Sequence, residues 1–310
     1  MSAMTTTATV LVRAARDDDD LDALNAGLRS WYGQSLIRDM FATAGPAPTA
    51  ILVAEVDGVP AGYAHAVGRG LADGRRGMGH VYVLPQHRRQ GVGRALMQAV
   101  LDVCTPERVP GVMFQTDDAD PLAREIALAH GMALAGVHQE STLDLATLEQ
   151  HRHLVKAPAG VELRPLPQDC DEDQWRAFEQ VYNRLMRDTP DVSSGAEDMP
   201  YETLRSVLKE PWQVMCAWRD DQIVGFTAIA VRDPAARTLN TWLTAVDRDL
   251  RGHGLATSLK VAQALALRDV GWQRIVTQNM EGNAPILASN RRLGFVPGVA
   301  LRDLTFDYPA

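Results

Sequence analysis

Cysteine is scarce in this chain. Three are present in 310 residues, Cys104, Cys170 and Cys216. They are odd in number, far apart and form no Cys-x-x-Cys pair, which excludes a disulfide framework and a cysteine-built metal site. A basic excess is also missing. Lysine and arginine number 31 against 39 aspartates and glutamates, for a net charge of −8. That is the wrong balance for a general nucleic-acid binder. No apolar run approaches the roughly 18 residues of a membrane-spanning helix. Residues 1–10 lack the basic start and apolar stretch of a secretory leader. A reducing cytoplasm is the expected setting. Metal ligands are thin as well: His151 and His153 flank Arg152, and nothing nearby completes a site. The acidic run at residues 17–20 reads as a solvated helix start, where carboxylates suit the positive end of the helix dipole.

What the chain does have is a repeat. Its length predicts two domains, and the text of one recurs in the other. Val53-Ala54-Glu55-Val56-Asp57-Gly58-Val59-Pro60-Ala61-Gly62 and Cys216-Ala217-Trp218-Arg219-Asp220-Asp221-Gln222-Ile223-Val224-Gly225 both read as strand, polar turn, strand. Gly62 and Gly225, Gly91 and Gly254, and Gly131 and Gly294 all stand 163 positions apart. Arg13 and Arg164 stand 151 apart, so the second repeat carries 12 extra residues before its strand pair. The Pro-, Gly-, Ser- and Asp-rich stretch 187–201 is the expected site of that insertion. The boundaries predicted are residues 9–148, a linker at 149–160, and 161–308.

Both repeats predict one succession of elements. A strand opens each (9–13, 161–165). Helical segments follow (21–42; 173–187 and 201–208). Two paired strands come next (50–56 with 61–67; 213–219 with 223–231). A fourth strand (80–84, 241–246) runs into a glycine loop and an amphipathic helix. A fifth strand (111–115, 274–278), a helix and a last strand close each repeat. Leu96, Val100 and Val103, and likewise Leu255, Leu259, Ala262 and Ala266, recur at helical spacing.

The loop carries the chemistry. It reads Arg88-Arg89-Gln90-Gly91-Val92-Gly93, with Arg94 after it, and Arg251-Gly252-His253-Gly254-Leu255-Ala256, with Thr257 after it. Glycine lets a backbone approach an anion closely. The first N–H groups of the helix lack internal partners and sit at the positive end of its dipole, which makes a phosphate cradle. The Gly-Lys-[Ser/Thr] ending of a Walker loop is absent. A dinucleotide fingerprint would need a small residue where Leu96 stands.

The pattern resembles the acyl-CoA-binding loop of the GNAT superfamily of N-acetyltransferases, [Gln/Arg]-x-x-Gly-x-[Gly/Ala]. The closing segment agrees: Asn283, then Asn290-Arg291-Arg292-Leu293-Gly294-Phe295. The resemblance covers nearly the whole chain in two units. It implies an α/β, mixed-sheet fold of two tandem acyl-CoA N-acyltransferase domains. Each would be a mostly antiparallel sheet splayed at strands 4 and 5 and flanked by helices.

The resemblance also implies a site. The fourth strand would carry a bulge, and the pantetheine arm would lie in the splay. By position it would run beside Tyr82 and Val83 in the first repeat and Ala245 and Val246 in the second. The backbone N–H of Val246 would hold the thioester oxygen. Both loops would bind cofactor. Asn279 and Asn283 would bond it in the second repeat, where the first has Asp117, Asp118 and Asp120. That difference favours the second repeat for chemistry. The family's acid, a tyrosine five residues before the closing Phe, is replaced by Asn290 and, in the first repeat, by Ala127. Asn290 would bond the leaving thiolate without protonating it. Tyr182, Tyr201 and Tyr308 read as structural. Asp191, Glu197 and Asp198 on the long loop, and His80, are candidate bases or acceptor ligands. Trp242 reads as core or as acceptor-pocket wall. The activity implied is acetyl transfer from acetyl-CoA to a primary amine of a small molecule, by a monomer or homodimer with no metal; the acidic long loop suggests a cationic acceptor. A peptide N-acetyltransferase and a non-catalytic CoA sensor are the alternatives.

Overall fold

The computed structural model describes residues 9–25, 49–67, 76–117, 121–189 and 198–309. The first repeat holds β1 (Val10–Ala14), α1 (Leu21–Asn25), β2 (Thr49–Val56), β3 (Val59–Val67), β4 (Gly77–Val83), α2 (Val92–Val103), β5 (Gly111–Asp117), α3 (Pro121–Ala129) and β6 (Ala133–Asp144). The second holds β7 (Glu162–Pro165), α4 (Glu172–Met186), α5 (Tyr201–Val207), β8 (Val214–Arg219), β9 (Gln222–Asp233), β10 (Thr238–Val246), α6 (Leu255–Asp269), β11 (Arg274–Met280), α7 (Ala284–Arg292) and β12 (Val296–Asp307). The mixed α/β fold of two like units therefore stands. Of the helix expected over 21–42, only α1 lies within the described residues. Asp118, Asp120, Asp191 and Glu197 lie outside them.

Local sequence sets the elements. At α4, Asp171 accepts from the Gln174 N–H while the Gln174 side chain accepts from the Asp171 N–H, a closed capping box. At α2 and α6 the residue before the helix is Gly91 or Gly254, at φ +87° and +80°. An L side chain resists that conformation, which is why glycine recurs there.

The sheet departs from the sequence reading. Its twelve strands form one surface, in the order β1-β2-β3-β4-β5-β12-β6-β11-β10-β9-β8-β7. The expectation that each repeat closes on its own last strand is corrected: the last strands are exchanged. β12 pairs with β5 from Leu301↔Asp117 to Asp307↔Gly111. β6 pairs with β11 from Arg274↔Asp144 to Met280↔His138. The two exchanged strands pair with each other at the centre.

Packing explains the exchange. Leu304, on the second repeat's last strand, is fully buried in the first repeat's core with Leu96, Val112 and Phe114. Leu143 and Leu145, from the first repeat, pack with Val261 and Ile275 of the second. The 3-10 segment Leu145–Leu154 that begins the connection has Leu148 buried in the same cluster. Tyr308 closes the seam by donating to the Leu101 carbonyl at 3.0 Å. Burial and the neighbouring Cys104, Asp102 and Glu107 push its hydroxyl up to about 12, in keeping with a structural phenol.

Leu304→Ala should therefore damage the first repeat from a position in the second. A Leu→Ala cavity of this kind costs about 2–5 kcal/mol. Denaturant unfolding, followed by ellipticity, should show that loss in one cooperative transition. A loss under about 1 kcal/mol would contradict the burial argument.

Candidate active site

The two loops are built alike. A 3-10 turn, Pro85–His87 or Arg248–Leu250, leads into Arg88 or Arg251 in extended conformation. Arg251 Nε donates to the Val246 carbonyl at 2.9 Å, and Arg88 Nε to the Val83 carbonyl at 3.3 Å. The motif arginine thus ties the loop to the end of its strand. Two residues before Gly91 and Gly254 the backbone again takes positive φ, at Gly252 (+79°) but at Arg89 (+66°) in the first repeat. The second loop meets that requirement with glycine; the first holds a side chain in a disfavoured region. A Cβ built at Gly91, Gly252 or Gly254 meets nothing within 4 Å, so these loops are open on the ligand side.

Both repeats have the gap. β4 and β5 pair only from Gly77↔Val112 to Gly79↔Phe114, and β10 and β11 only from Thr238↔Arg274 to Asn240↔Val276. Beyond those points the parallel partners separate. The repeats differ in the fourth strand. β10 breaks register against β9 between Thr241 and Leu243, so Trp242 is bulged. β4 stays in register with β3 from Met78 to Val83. Ala245 and Val246 lie past the bulge and pair regularly with Phe226 and Gly225. The irregular backbone therefore lies toward the closed end of the gap.

One cavity of about 1050 Å³ joins these parts. The second loop opens on it through Arg251, Gly252, Gly254, Leu255, Ala256 and Thr257. Val246, Asn279 and Asn283 line it too. It then passes the bulge and reaches the face of the sheet under α4, where Tyr182, Met186, Asp198 and Trp242 line it. Trp242 packs on the α4 core, lines the cavity and donates Nε1–H to the Tyr182 hydroxyl at 2.8 Å. Tyr201 holds the Arg176 guanidinium 4.1 Å above its ring, a structural contact. Tyr82, Val83, His253 and the first loop, Arg88, Arg89, Gln90, Gly91, Val92, Gly93 and Arg94, are not among the lining residues.

Several site candidates have structural work. Asn283 caps α7, its side chain accepting from the Ile286 N–H. Asn290 is 2% exposed and is not among the lining residues; it accepts from Lys260 Nζ at 2.9 Å and donates to Asn279 Oδ1 at 2.7 Å. It touches the cavity through those two neighbours. Asp198 accepts from Arg187 Nε at 2.9 Å.

The exchange adds residues that the sequence reading missed. β12 and β6 bring Asp303 and His138 to the cavity, joined at 2.8 Å, and Gln115 donates to Asp303 at 3.0 Å. Glu140 binds Arg232 at 3.1 Å and accepts from Gln278 at 3.0 Å. No spacing in the chain brings these together; only the exchanged sheet does. Lys260 had a signal: it stands where the first repeat has Met97.

His80 lines the cavity and stacks on His65, ring centroids 4.4 Å apart. Burial pushes His80 down to about 4 against the opposing pull of Asp303. Burial, and then the charge of His80, holds His65 well below the usual imidazole range. His80 is thus neutral near pH 7 and a weak proton acceptor.

A glycine-nosed helix, a splayed sheet and a large cavity joining them define an acyltransferase. The chain belongs to the acetyltransferase (GNAT) family, whose model matches residues 16–132 and again 171–295. It is 32% identical over 246 residues, 77% of this chain and 76% of the relative, to a mycothiol acetyltransferase of Thermomonospora curvata. It is 28% identical over 297 residues, 92% of this chain and 88% of the relative, to the mycothiol acetyltransferase of Geodermatophilus obscurus. Among solved structures, a tandem GNAT protein from the clavulanic acid biosynthesis pathway matches at TM-score 0.72 and 23% identity, covering 98% of this chain and 99% of that one. A GCN5-related N-acetyltransferase from Sphaerobacter thermophilus matches at TM-score 0.66 and 18% identity, covering 96% and 95%. The last two are likenesses of fold.

The histidine pair predicts a pH dependence of stability. Unfolded, His80 titrates near its ordinary value of about 6.5; folded, it titrates at about 4. Between those values the unfolded chain binds the proton and the folded one does not, so stability falls as pH drops from about 6.5 toward 4. Thermal midpoints across that range should fall more steeply for the native protein than for His80→Gln. Equal slopes would remove the histidine pair as the cause.

Proposed function

We propose that the second repeat transfers an acetyl group from acetyl-CoA to the primary amine of a small-molecule acceptor. The observation that carries this reading is continuity. Loop, gap, bulge and acceptor-side cavity run together in the second repeat, while the first repeat's loop stands apart. In this reading the N–H groups from Gly252 to Thr257 hold the pyrophosphate at the positive end of α6. The pantetheine arm follows the free edge of β10, along Val246 and Ala245 toward the bulge. Backbone N–H groups there, that of Val246 among them, polarise the thioester oxygen. Asn279 and Asn283 flank the arm from the other side. The acceptor nitrogen, deprotonated, attacks from the face under α4.

The carboxylates on that side favour a cationic acceptor. Asp198 and Asp303 both line the cavity. The relatives named mycothiol acetyltransferase support an acceptor of that small-molecule class. The first repeat is read as structural or as a second cofactor holder. A cytoplasmic setting and a monomer or homodimer complete the proposal.

Two measurements test it. Isothermal titration with acetyl-CoA should show binding by the native protein, and Gly254→Glu should abolish it. The substitution has room for its side chain, and it sets a carboxylate in an anion cradle at a left-handed backbone position, which costs about 1–2 kcal/mol. Gly91→Glu should leave that site intact, and any site it removes belongs to the first repeat. No binding by the native protein would overturn the reading. Asp303→Asn should raise the acceptor KM about tenfold, or about 1.4 kcal/mol, at unchanged acetyl-CoA affinity. An unchanged KM would remove Asp303 from the acceptor site.

A further inference from the structure

Lys260 is the one lysine or arginine among the described residues that is buried, at 8% exposure. Burying an ammonium is costly unless hydrogen bonds replace its water. Its position therefore asks for a cause. It stands on α6, one turn after Thr257, and both line the cavity. Its Nζ donates to Asn290 Oδ1 at 2.9 Å, and Asn290 is fixed in turn by its 2.7 Å bond to Asn279. Thr277 Oγ1 also reaches Asn279 Oδ1, at 3.4 Å.

These residues mark the closed end of the gap. Pairing of β10 with β11 stops at Asn240 and Val276, and Thr277 and Asn279 follow directly. An extended arm anchored at the second loop and laid in the gap has its far end here. That end of the arm carries the sulfur. The repeat supplies an internal comparison. At the offset of 163, Lys260 and Asn290 correspond to Met97 and Ala127. Ammonium and amide occur together, in the repeat whose loop opens on the cavity, and both are absent from the other.

We propose that Lys260 protonates the thiolate that leaves the acyl donor, with Asn290 as its positioning residue; this rests on the acetyl-transfer reading above. The acceptor nitrogen bonds to the carbonyl carbon. The carbon–sulfur bond breaks and its electron pair stays on sulfur. A proton passes from Lys260 Nζ to that sulfur and gives the free thiol. Neutral Lys260 regains a proton from cavity water, which receives the one shed by the attacking nitrogen. Asn290 cannot act as the acid itself, because an amide does not ionise.

The test uses the full chain, with acetyl-CoA affinity by calorimetry and thiol release by a chromogenic reagent. Lys260→Met and Lys260→Arg should bind acetyl-CoA as the native protein does, with kcat at least about 100-fold lower, the range of a lost general acid. Arginine keeps the charge and the bond to Asn290 but does not release its proton. It therefore separates proton donation from electrostatic support, and it decides the matter alone if Lys260→Met does not fold. Adding Asn290→Tyr to Lys260→Met supplies a phenol in the same wall and should recover at least about tenfold in kcat. A Lys260→Arg variant with native kcat and native affinity would overturn the assignment. Failure of the native protein to bind acetyl-CoA would instead remove the acetyl-transfer reading, and this proposal with it.

Discussion

The structure depends on one constraint: a strand inside a sheet must have both edges paired. Beside β5 and β11 that pairing comes from the other repeat's last strand. Unpaired backbone groups in a buried sheet would each cost about as much as a lost hydrogen bond. Exchange satisfies both edges at once and leaves no seam that can open without breaking main-chain bonds. Two domains joined by a flexible linker would have edges to hide. Here the edges are hidden in each other, and Leu304 is driven into a core built almost wholly by the other half of the chain.

The same constraint makes the gap informative. Beyond Asn240 and Val276 the sheet gives up parallel pairing at its middle. Backbone groups on facing edges of β10 and β11 are then left to water or to a ligand that can imitate a strand. A pantetheine arm, with two amides along its length, matches that need. The bulge at Trp242 adds to this by turning the backbone of one edge out of register. The first repeat has the opening without the bulge, and its loop holds Arg89 in the conformation that Gly252 adopts freely. Loop and strand thus differ together between the two repeats.

Much of this is legible in the sequence. Gly91 and Gly254 mark a turn into a helix, and the constant offset of 163 marks a repeated unit. The strand–loop–helix order came from periodicity. Strand exchange was not legible, because β6 and β12 carry the same alternation whichever neighbour they take. The cluster of His138, Gln115 and Asp303 was hidden for that reason: 188 residues separate the bonded pair Gln115 and Asp303. The position of the bulge at Trp242 is not legible, since register shifts leave no mark on composition. The sequence reading puts Asn290 against the leaving thiolate; in the structure Asn290 does not line the cavity, and Lys260 and Asn279, to which it bonds, do.

Comparing the repeats turns a fold argument into a chemical one. Both halves retain strand, glycine and helix, so those features mark the fold. What distinguishes the halves marks the chemistry. The second has glycine where the loop backbone needs it, a bulge in the fourth strand, and an ammonium held by an amide where the first has Met97 and Ala127. Burying an ammonium is costly unless hydrogen bonds replace its water, and Asn290 supplies one of them. The role proposed for Lys260 accounts for a buried ammonium beside an opened sheet where the first repeat has the apolar Met97.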